Sequence, residues 1–397
     1  MDSKWRIMAL LAGLAGLTGL ATVAHAAPGG VRVAVAQEGV RVAVAQEGVR
    51  VAVAPQGQDL AASDDVVVTV TMTNTTGATQ YLLAWQTPFG REVEAPLFEV
   101  MRDGAPVPYL GIQAKRPAPR PSDYIALAPG ASRSASVELS ALYDMRAGGA
   151  YSVRWRAGAA RLYSRPGTPQ PGMLAEPEAP AIVRVARQPG AAAATPALPP
   201  APAEGGGLSY SRCSNAQQGT IVQAVEAAQA MAQDGEAYMQ KKALAARYTG
   251  WFGAVEAQRA TTVAQHFAAI REAFQARPVT VDCGCNEAYY AYVYPNQPYR
   301  IYVCRAFWDA PPAGTDSQGG TLVHEMSHFT VVAGTDDWAY GQDAAAALAA
   351  DDPARAVDNA DSHEYFGENT PYQAKGSEVS RVSGRRGQSP VLLLEGL

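Results

Sequence analysis

Cysteine is scarce in this chain and absent from its first 212 residues; the four that occur are Cys213, Cys283, Cys285 and Cys304. Whatever folds before them must therefore rely on a hydrophobic core rather than on disulfides. Charge is sparse as well. Charged residues make up 17% and the net charge is −5, which leaves no strong field to favour a nucleic-acid partner. Beyond residues 7–23 no run is long and apolar enough to span a bilayer, so no stable membrane anchor is expected. Histidine occurs five times and lysine five times (Lys4, Lys115, Lys241, Lys242 and Lys375), against 27 arginines. What is plentiful is Ala, Gly and Pro, and the apolar fraction of 48% is enough for a core. With 397 residues the chain can hold about two or three domains.

The N-terminus predicts an export signal over residues 1–26. Lys4 and Arg6 precede the apolar run, and Ala24-His25-Ala26 offers small residues for cleavage. Gly13, Gly16 and Gly19 dilute the run and argue against an uncleaved anchor. A secreted, extracellular protein meets oxidising conditions, where four cysteines predict two disulfides.

Residues 27–63 form a leader with three nine-residue repeats, VRVAVAQEG, VRVAVAQEG and VRVAVAPQG. Three copies barely begin a solenoid, so a duplication that lengthened a strand or a leader arm is the simpler expectation. Over residues 64–187 the period is two, with strands expected at 66–72, 80–85, 97–103, 134–140, 151–157 and 181–187. Turn signals such as Asp103-Gly104 and Pro129-Gly130 separate them, which predicts an antiparallel β-sandwich of immunoglobulin-like type. Residues 188–207 read as a Pro/Ala/Gly linker open to proteases. Residues 208–373 then read as an α+β domain, mainly helical with a small sheet, with helices expected at 216–247, 254–275, 320–329, 342–350 and after residue 352. Residues 374–397 form a polar tail that ends briefly apolar.

The chemistry is concentrated in HEMSHFTVVAGTDDWAYG, residues 324–341. His324 and His328 stand four apart and share a helix face, so both can hold one Zn2+ ion. Glu325 can then reach water at that ion as a general base. With the signal removed only four histidines remain, which makes a chance HExxH improbable. A third ligand requires the chain to reverse, and Gly334 permits the backbone angles of a reversal. Asp336 and Asp337 are equally suitable by chemistry and spacing. Tyr340 could donate a hydrogen bond to an oxyanion, and would share a side with Asp337 if the turn leads into helix.

HExxH followed by G-T-x-D-x-x-Y-G, here residues 334–341, resembles the signature of the aspzincins, the deuterolysin-like zinc metallopeptidases. WFG at 251–253, YVYPN at 292–296, AFW at 306–308 and GTDSQGGTLVHE at 314–325 extend the likeness to their peptidyl-Lys metalloendopeptidase branch. The resemblance implies a zincin-type catalytic domain and assigns metal binding to His324, His328 and Asp337 and catalysis to Glu325 and Tyr340. It also implies the disulfides Cys213–Cys283 and Cys285–Cys304, and a β-sandwich that serves as propeptide.

Substrate choice rests on NADSHEYFGEN, residues 359–369. Asp361 and Glu364 lie three apart, on one helix face, and could bracket an ammonium; equally, they could be a helix cap and a solvated face. In the peptidyl-Lys enzymes this motif forms the lysine pocket, so the resemblance implies hydrolysis on the N-terminal side of Lys in protein or peptide substrates. The shortage of lysine fits an enzyme spared from self-digestion, although a GC-rich gene would give the same bias. The linker contains no lysine, so self-cleavage would have to start elsewhere, and Ala114–Lys115 is available. The propeptide is expected to act as intramolecular inhibitor or chaperone. His266 and His363 are expected to be satisfied within the fold. The competing readings are a deuterolysin-like protease of broad specificity and a secreted binding or adhesion protein.

Overall fold

The computed structural model describes residues 31–34, 43–46 and 48–372, except 91, 157, 159, 170–173, 176–179, 187–205 and 242. The expected signal peptide, the C-terminal tail and nearly all of the linker lie outside the described residues. Residues up to Glu47 form one unit, in which Val31–Ala34 pairs antiparallel with Ala43–Gln46. Everything from Gly48 onward forms a second unit.

The third repeat is a core strand. Val49–Pro55 runs antiparallel to Val67–Asn74 over its full length, and Val49 and Val51 are wholly buried beside Val68 and Val70. The β region therefore begins upstream of residue 64, because the repeat's alternation places its valines on the same face as those of its partner strand. One sheet has the order Ser132–Glu138, Val67–Asn74, Val49–Pro55, Leu174–Ala175. A second runs Asp59–Leu60, Ala181–Val185, Gly149–Trp155, Phe98–Arg102, Ala105–Pro106. A third contains Tyr124–Leu127, Gln80–Leu83, Leu162–Arg165 and Thr168–Pro169. The inward residues share one core that includes Met72, Val100, Tyr151, Val153 and Trp155. The turn at Asp103-Gly104 has φ of 49° and 87°, as a tight hairpin between Phe98–Arg102 and Ala105–Pro106 requires.

A separate core belongs to the helical C-terminal region. Helix α1 (Asn215–Met239) starts at the Ser214 cap and stops short of the expected residue 247. The chain re-enters helix as α2 (Ala246–Phe252). The break turns Arg247 inward, where its guanidinium donates to Asp234 at 2.5 Å and to the carbonyl of Phe366 at 2.8 Å. Helix α3 (Ala257–Ala276) and the short α4 (Arg305–Asp309) follow, then α5 (Gln318–His328), α6 (Gln342–Asp351), α7 (Pro353–Val357) and α8 (Ala360–Glu368). Helix α5 is buried along its entire length. Its close approach to α1 depends on Gly319, where a Cβ would come within 2.7 Å of Ala227.

The C-terminal sheet has the order Gly207–Ser211, Pro278–Asp282, Arg300–Val303, Ala291–Val293, and its last strand would be an open edge. That edge is taken by Gln113–Lys115 from the β region, antiparallel, with Ala114 opposite Tyr292 and Lys115 opposite Ala291. Sequence periodicity gave no sign of this three-residue strand.

Two disulfides staple the sheet, Cys213–Cys283 across 70 residues and Cys285–Cys304 across 19. This is the pairing implied by the aspzincin resemblance. The loop lengths set an order of effect. Replacing Cys213 and Cys283 by Ser should lower stability by about 4 kcal/mol, and replacing Cys285 and Cys304 by about 3 kcal/mol. Denaturant midpoints of the two double variants against the parent check both the losses and their order.

Candidate active site

The site is assembled by helix α5, the reversal after it, and helix α8. Ser317 caps α5 by accepting from the Gly320 amide at 2.9 Å, and the helix presents His324 and His328 to one side. The helix ends at His328. The Gly334 amide donates back to the Phe329 carbonyl at 3.1 Å, with Gly334 at φ 63°, and the Thr335 amide reaches the Ser327 carbonyl at 3.1 Å. The chain then runs beside the segment preceding α8. The Asp336 backbone amide donates to the Asp358 carbonyl at 2.7 Å, and the Asn359 side-chain oxygen accepts from the amides of Trp338 and Ala339, both at 3.0 Å. Residues 337–340 are clamped in an irregular, non-helical segment with a bend at Trp338, so Asp337 and Tyr340 do not share a helical face as the spacing suggested. Helix resumes at Gln342, after Gly341.

This clamp delivers Asp337 to the histidines. Its Oδ1 lies 3.2 Å from His324 Nε2 and 3.5 Å from His328 Nε2, and the two Nε2 atoms are 3.1 Å apart. Ligands about 2.0–2.1 Å from a tetrahedral zinc stand roughly 3.3 Å from one another, so this triangle fits such an ion. Asp337 Oδ1 is buried and accepts no hydrogen bond among the described residues, as a ligand atom awaiting a cation would be. Burial works to raise the Asp337 carboxyl, but the two imidazoles outweigh it and hold it below the usual range. Asp336, its chemical rival, is turned away to Arg156 and to Gln113 Nε2 at 3.2 Å.

The other nitrogen of each ring faces an oxygen atom. His328 Nδ1 meets the Thr335 carbonyl at 2.7 Å. His324 Nδ1 faces Asp361 Oδ1 at 2.9 Å and Glu364 Oε2 at 3.3 Å. Contacts of this kind direct Nε2 toward a metal. Glu325 is fully buried next to them, and burial pushes its carboxyl up to about 8. Tyr340 is buried edge-on to Trp85, and burial and Asp337 raise its phenol well above the ordinary value.

Asp361 and Glu364 lie on one face of α8, whose cap is Asn359 rather than Asp361. Between them sits the ammonium of Lys115, 2.7 Å from Glu364 Oε2 and 3.4 Å from Asp361 Oδ1. Burial opposes the charge on Lys115, but the surrounding carboxylates outweigh it and raise its pKa well above the ordinary value. Sequence reasoning missed three further walls of this pocket. Asp316 Oδ1 is 3.3 Å from the ammonium and accepts from the Tyr365 hydroxyl at 2.8 Å, and the Tyr290 and Tyr365 rings lie 5.2 and 5.5 Å away. Their only signals were proximity to quoted motifs: Asp316 lies within GTDSQGG, and Tyr365 follows Glu364.

The backbone of Lys115 is engaged too. Its amide donates to Glu325 Oε1 at 3.3 Å, and its carbonyl accepts from the Tyr290 amide at 3.0 Å. Arg116 donates to the Ala114 carbonyl at 3.2 Å and to Glu94 at 2.6 Å, with its guanidinium 4.5 Å from the Tyr289 ring centroid.

A buried His-His-Asp triangle beside a carboxylate, opening onto an acidic pocket, defines a metal-dependent hydrolase. The comparisons agree. A family model described as lysine-specific metallo-endopeptidase, Aspzincin_M35, matches residues 237–368. An extracellular protease of Aeromonas hydrophila is 44% identical over 312 residues, covering 78% of this chain and 90% of that one. That span exceeds the C-terminal region, so the likeness reaches into the β region. A peptidyl-Lys metalloendopeptidase of Grifola frondosa is 36% identical over 321 residues, with the same coverage of each chain. A solved zinc peptidase from Grifola frondosa shares 46% identity, covering 41% of this chain and 100% of that one, with a TM-score of 0.38. The chain belongs to the aspzincin family and is a zinc metalloendopeptidase. No helix among the described residues is long and apolar enough to cross a membrane.

His363 lies behind the site, with Nδ1 2.9 Å from the Asn359 carbonyl and Nε2 3.0 Å from His266 Nδ1. Burial depresses His266 to about 4, and burial followed by its neighbour depresses His363 to about 3. Both rings are therefore neutral in the fold, whereas an unfolded histidine takes up a proton below about 6.5. Their contribution to stability is fully present above that pH and is lost as pH falls through the folded values. Replacing His266 by Gln should flatten the loss of stability between pH 6.5 and 4, by up to about 1.4 kcal/mol per pH unit. Urea titrations of parent and variant across that range test this.

Proposed function

We propose that the chain is a secreted precursor of an endopeptidase that cuts on the N-terminal side of lysine, and that the β region is its latency-keeping propeptide. The observation that carries this reading is the Lys115 ammonium buried between Asp361 and Glu364 while its own amide meets Glu325. Residues 113–115 lie where a substrate strand would lie, added beside Ala291–Val293, the strand that would otherwise form the edge of the C-terminal sheet. A lysine in that pocket puts the bond before it, Ala114–Lys115, next to the candidate base.

His324, His328 and Asp337 would hold zinc, which when bound polarises a carbonyl and acidifies water. Glu325 takes the proton from the attacking water and delivers it to the leaving amine. Its short reach to the Lys115 amide supports the second role. Tyr340 donates to the developing oxyanion. The β region, read as an immunoglobulin-like sandwich, inhibits by filling the lysine pocket, and Arg116 reinforces this by gripping the carbonyl of the same bond. Because residues 188–207 contain no lysine, the first self-cleavage falls at Ala114–Lys115.

The full zinc-loaded chain should therefore yield a fragment that begins at Lys115, identified by N-terminal sequencing. Glu325→Gln should leave the chain intact, and a chelator should do the same to the parent. Tyr340→Phe should slow cleavage by about 10²–10³-fold. Lys115→Ala should cleave an added lysine peptide without the lag shown by the parent. Cuts scattered over many residue types in a peptide library would reject the lysine pocket.

A further inference from the structure

The strand Gln113–Lys115 offers a second side chain to the C-terminal region. Alternation along a strand puts Gln113 and Lys115 on the same side, so the residue two places before any lysine added at this edge points where Gln113 points. Gln113 is buried, and its Nε2 donates to Asp336 Oδ1 at 3.2 Å. Its Oε1 has no hydrogen bond among the described residues. The other oxygen of Asp336 is held by the guanidinium of Arg156, which also lies 4.2 Å from the Trp338 ring centroid and 3.9 Å from Asp358 Oδ2. The indole is fixed by its own Nε1, which donates to Asp358 Oδ2 at 2.8 Å, and by Arg355, packed against the same ring at 4.8 Å. Asp336 is fixed through its backbone, since its carbonyl accepts from the Ala360 amide at 3.0 Å. A cavity of about 660 Å³ opens beside Gln113, Arg156, Gly334 and Asp336.

We infer that Asp336 and the Trp338 indole form a subsite for the second residue before the cut, and that this subsite selects arginine. The inference rests on the reading of Gln113–Lys115 as a substrate strand and deepens it. An amide is a poor occupant. Beside the carboxylate it uses one donor and leaves a buried acceptor unpaired, which costs binding. A guanidinium carries donors only, pairs with a carboxylate through two parallel bonds and stacks on an aromatic face. Arg156 shows that the site accepts this group, on the acid and on the ring alike. In the precursor the β region fills the site from two directions, with the Gln113 amide on one carboxylate oxygen and Arg156 on the other. A substrate strand that brings its own arginine meets both oxygens and the ring once Arg156 withdraws. Lysine is the weaker choice, because its ammonium is a compact point charge that matches neither the fork nor the ring face. No residue of the pocket around the Lys115 ammonium takes part.

The test uses the full chain, parent and Asp336→Asn, incubated with zinc until its activity is constant. The substrates are two peptides with a single lysine, which differ only in arginine or its neutral isostere citrulline as the second residue before the cut. The quantity read is the ratio of kcat/KM for the two peptides. That ratio is internal to each protein, so a general loss of activity or of zinc cancels. The parent should favour arginine by about 10-fold, the low end for a charge-assisted hydrogen bond because the site opens to water. Asp336→Asn should bring the ratio close to one while the cuts stay before lysine. Placing the arginine or citrulline at the fifth residue before the cut should abolish the parent's preference. A parent ratio near one would overturn the inference, and that measurement decides alone should Asp336→Asn fail to fold. An undiminished ratio in Asp336→Asn would overturn it too. So would an equal preference at the fifth residue, which marks long-range attraction to a negatively charged protein rather than a subsite. A parent chain that does not cut before lysine would defeat the underlying functional reading instead.

Discussion

The structure depends on one electrostatic constraint: Glu325, Asp337, Asp361 and Glu364 are all buried within a single small volume. Anions removed from water are costly unless cations or donors meet them. The protein supplies these in two groups. Two imidazoles face Asp337, and a lysine ammonium faces Asp361 and Glu364. On the proposed reading a divalent ion completes the first group. The second is completed by a residue from another part of the chain, of the type that the proposed enzyme cuts before. On that reading buried carboxylates make both the candidate catalytic centre and its specificity, and they also make an empty pocket unfavourable.

Much of the centre was legible from residue spacing because helices impose it. Two histidines four apart and two acids three apart can only face one way if each segment is helical, and both segments are. The third candidate ligand was not legible from spacing, since Asp336 and Asp337 are chemically identical neighbours. Only the clamp formed by Asn359, twenty residues downstream, decides which one turns toward the rings. Likeness to a family could supply that choice, but the physical cause is a long-range contact invisible to local pattern. The same limit applies to the break in the first long helix. Residues 240–245 carry no strong helix breaker, and the interruption is set by the inward turn of Arg247 toward the Phe366 carbonyl.

Lys115 marks the other boundary of sequence reasoning. Its scarcity value could be counted, and the bond before it could be named as a cleavage candidate. That Gln113–Lys115 forms a strand could not be foreseen, because three residues carry no periodicity. Its pairing partner is the outer strand of a sheet in a different region of the chain. An edge strand needs a cover, and peptide substrates provide one by adding a strand. Using the same edge for an internal segment requires no new binding surface, only a β region that holds the segment at the right place.

Tethering gives this arrangement an advantage that a free peptide lacks. On the proposed reading, a segment within the same chain competes with substrates at a high effective concentration. Cutting the Ala114–Lys115 bond would not end the association at once, because other contacts between the two regions survive the cut. Arg156 still pairs with Asp336, Glu94 still accepts from the Tyr289 hydroxyl at 2.7 Å, and Asn296 still donates to the Tyr109 carbonyl at 2.5 Å. Asp336 is the neighbour of the candidate metal ligand Asp337, so the β region braces the loop that forms the metal site as well as filling the pocket. On the proposed reading, inhibition and support of the site are two consequences of one interface. Release, on that reading, proceeds by loss of that interface as a whole rather than by a single cleavage.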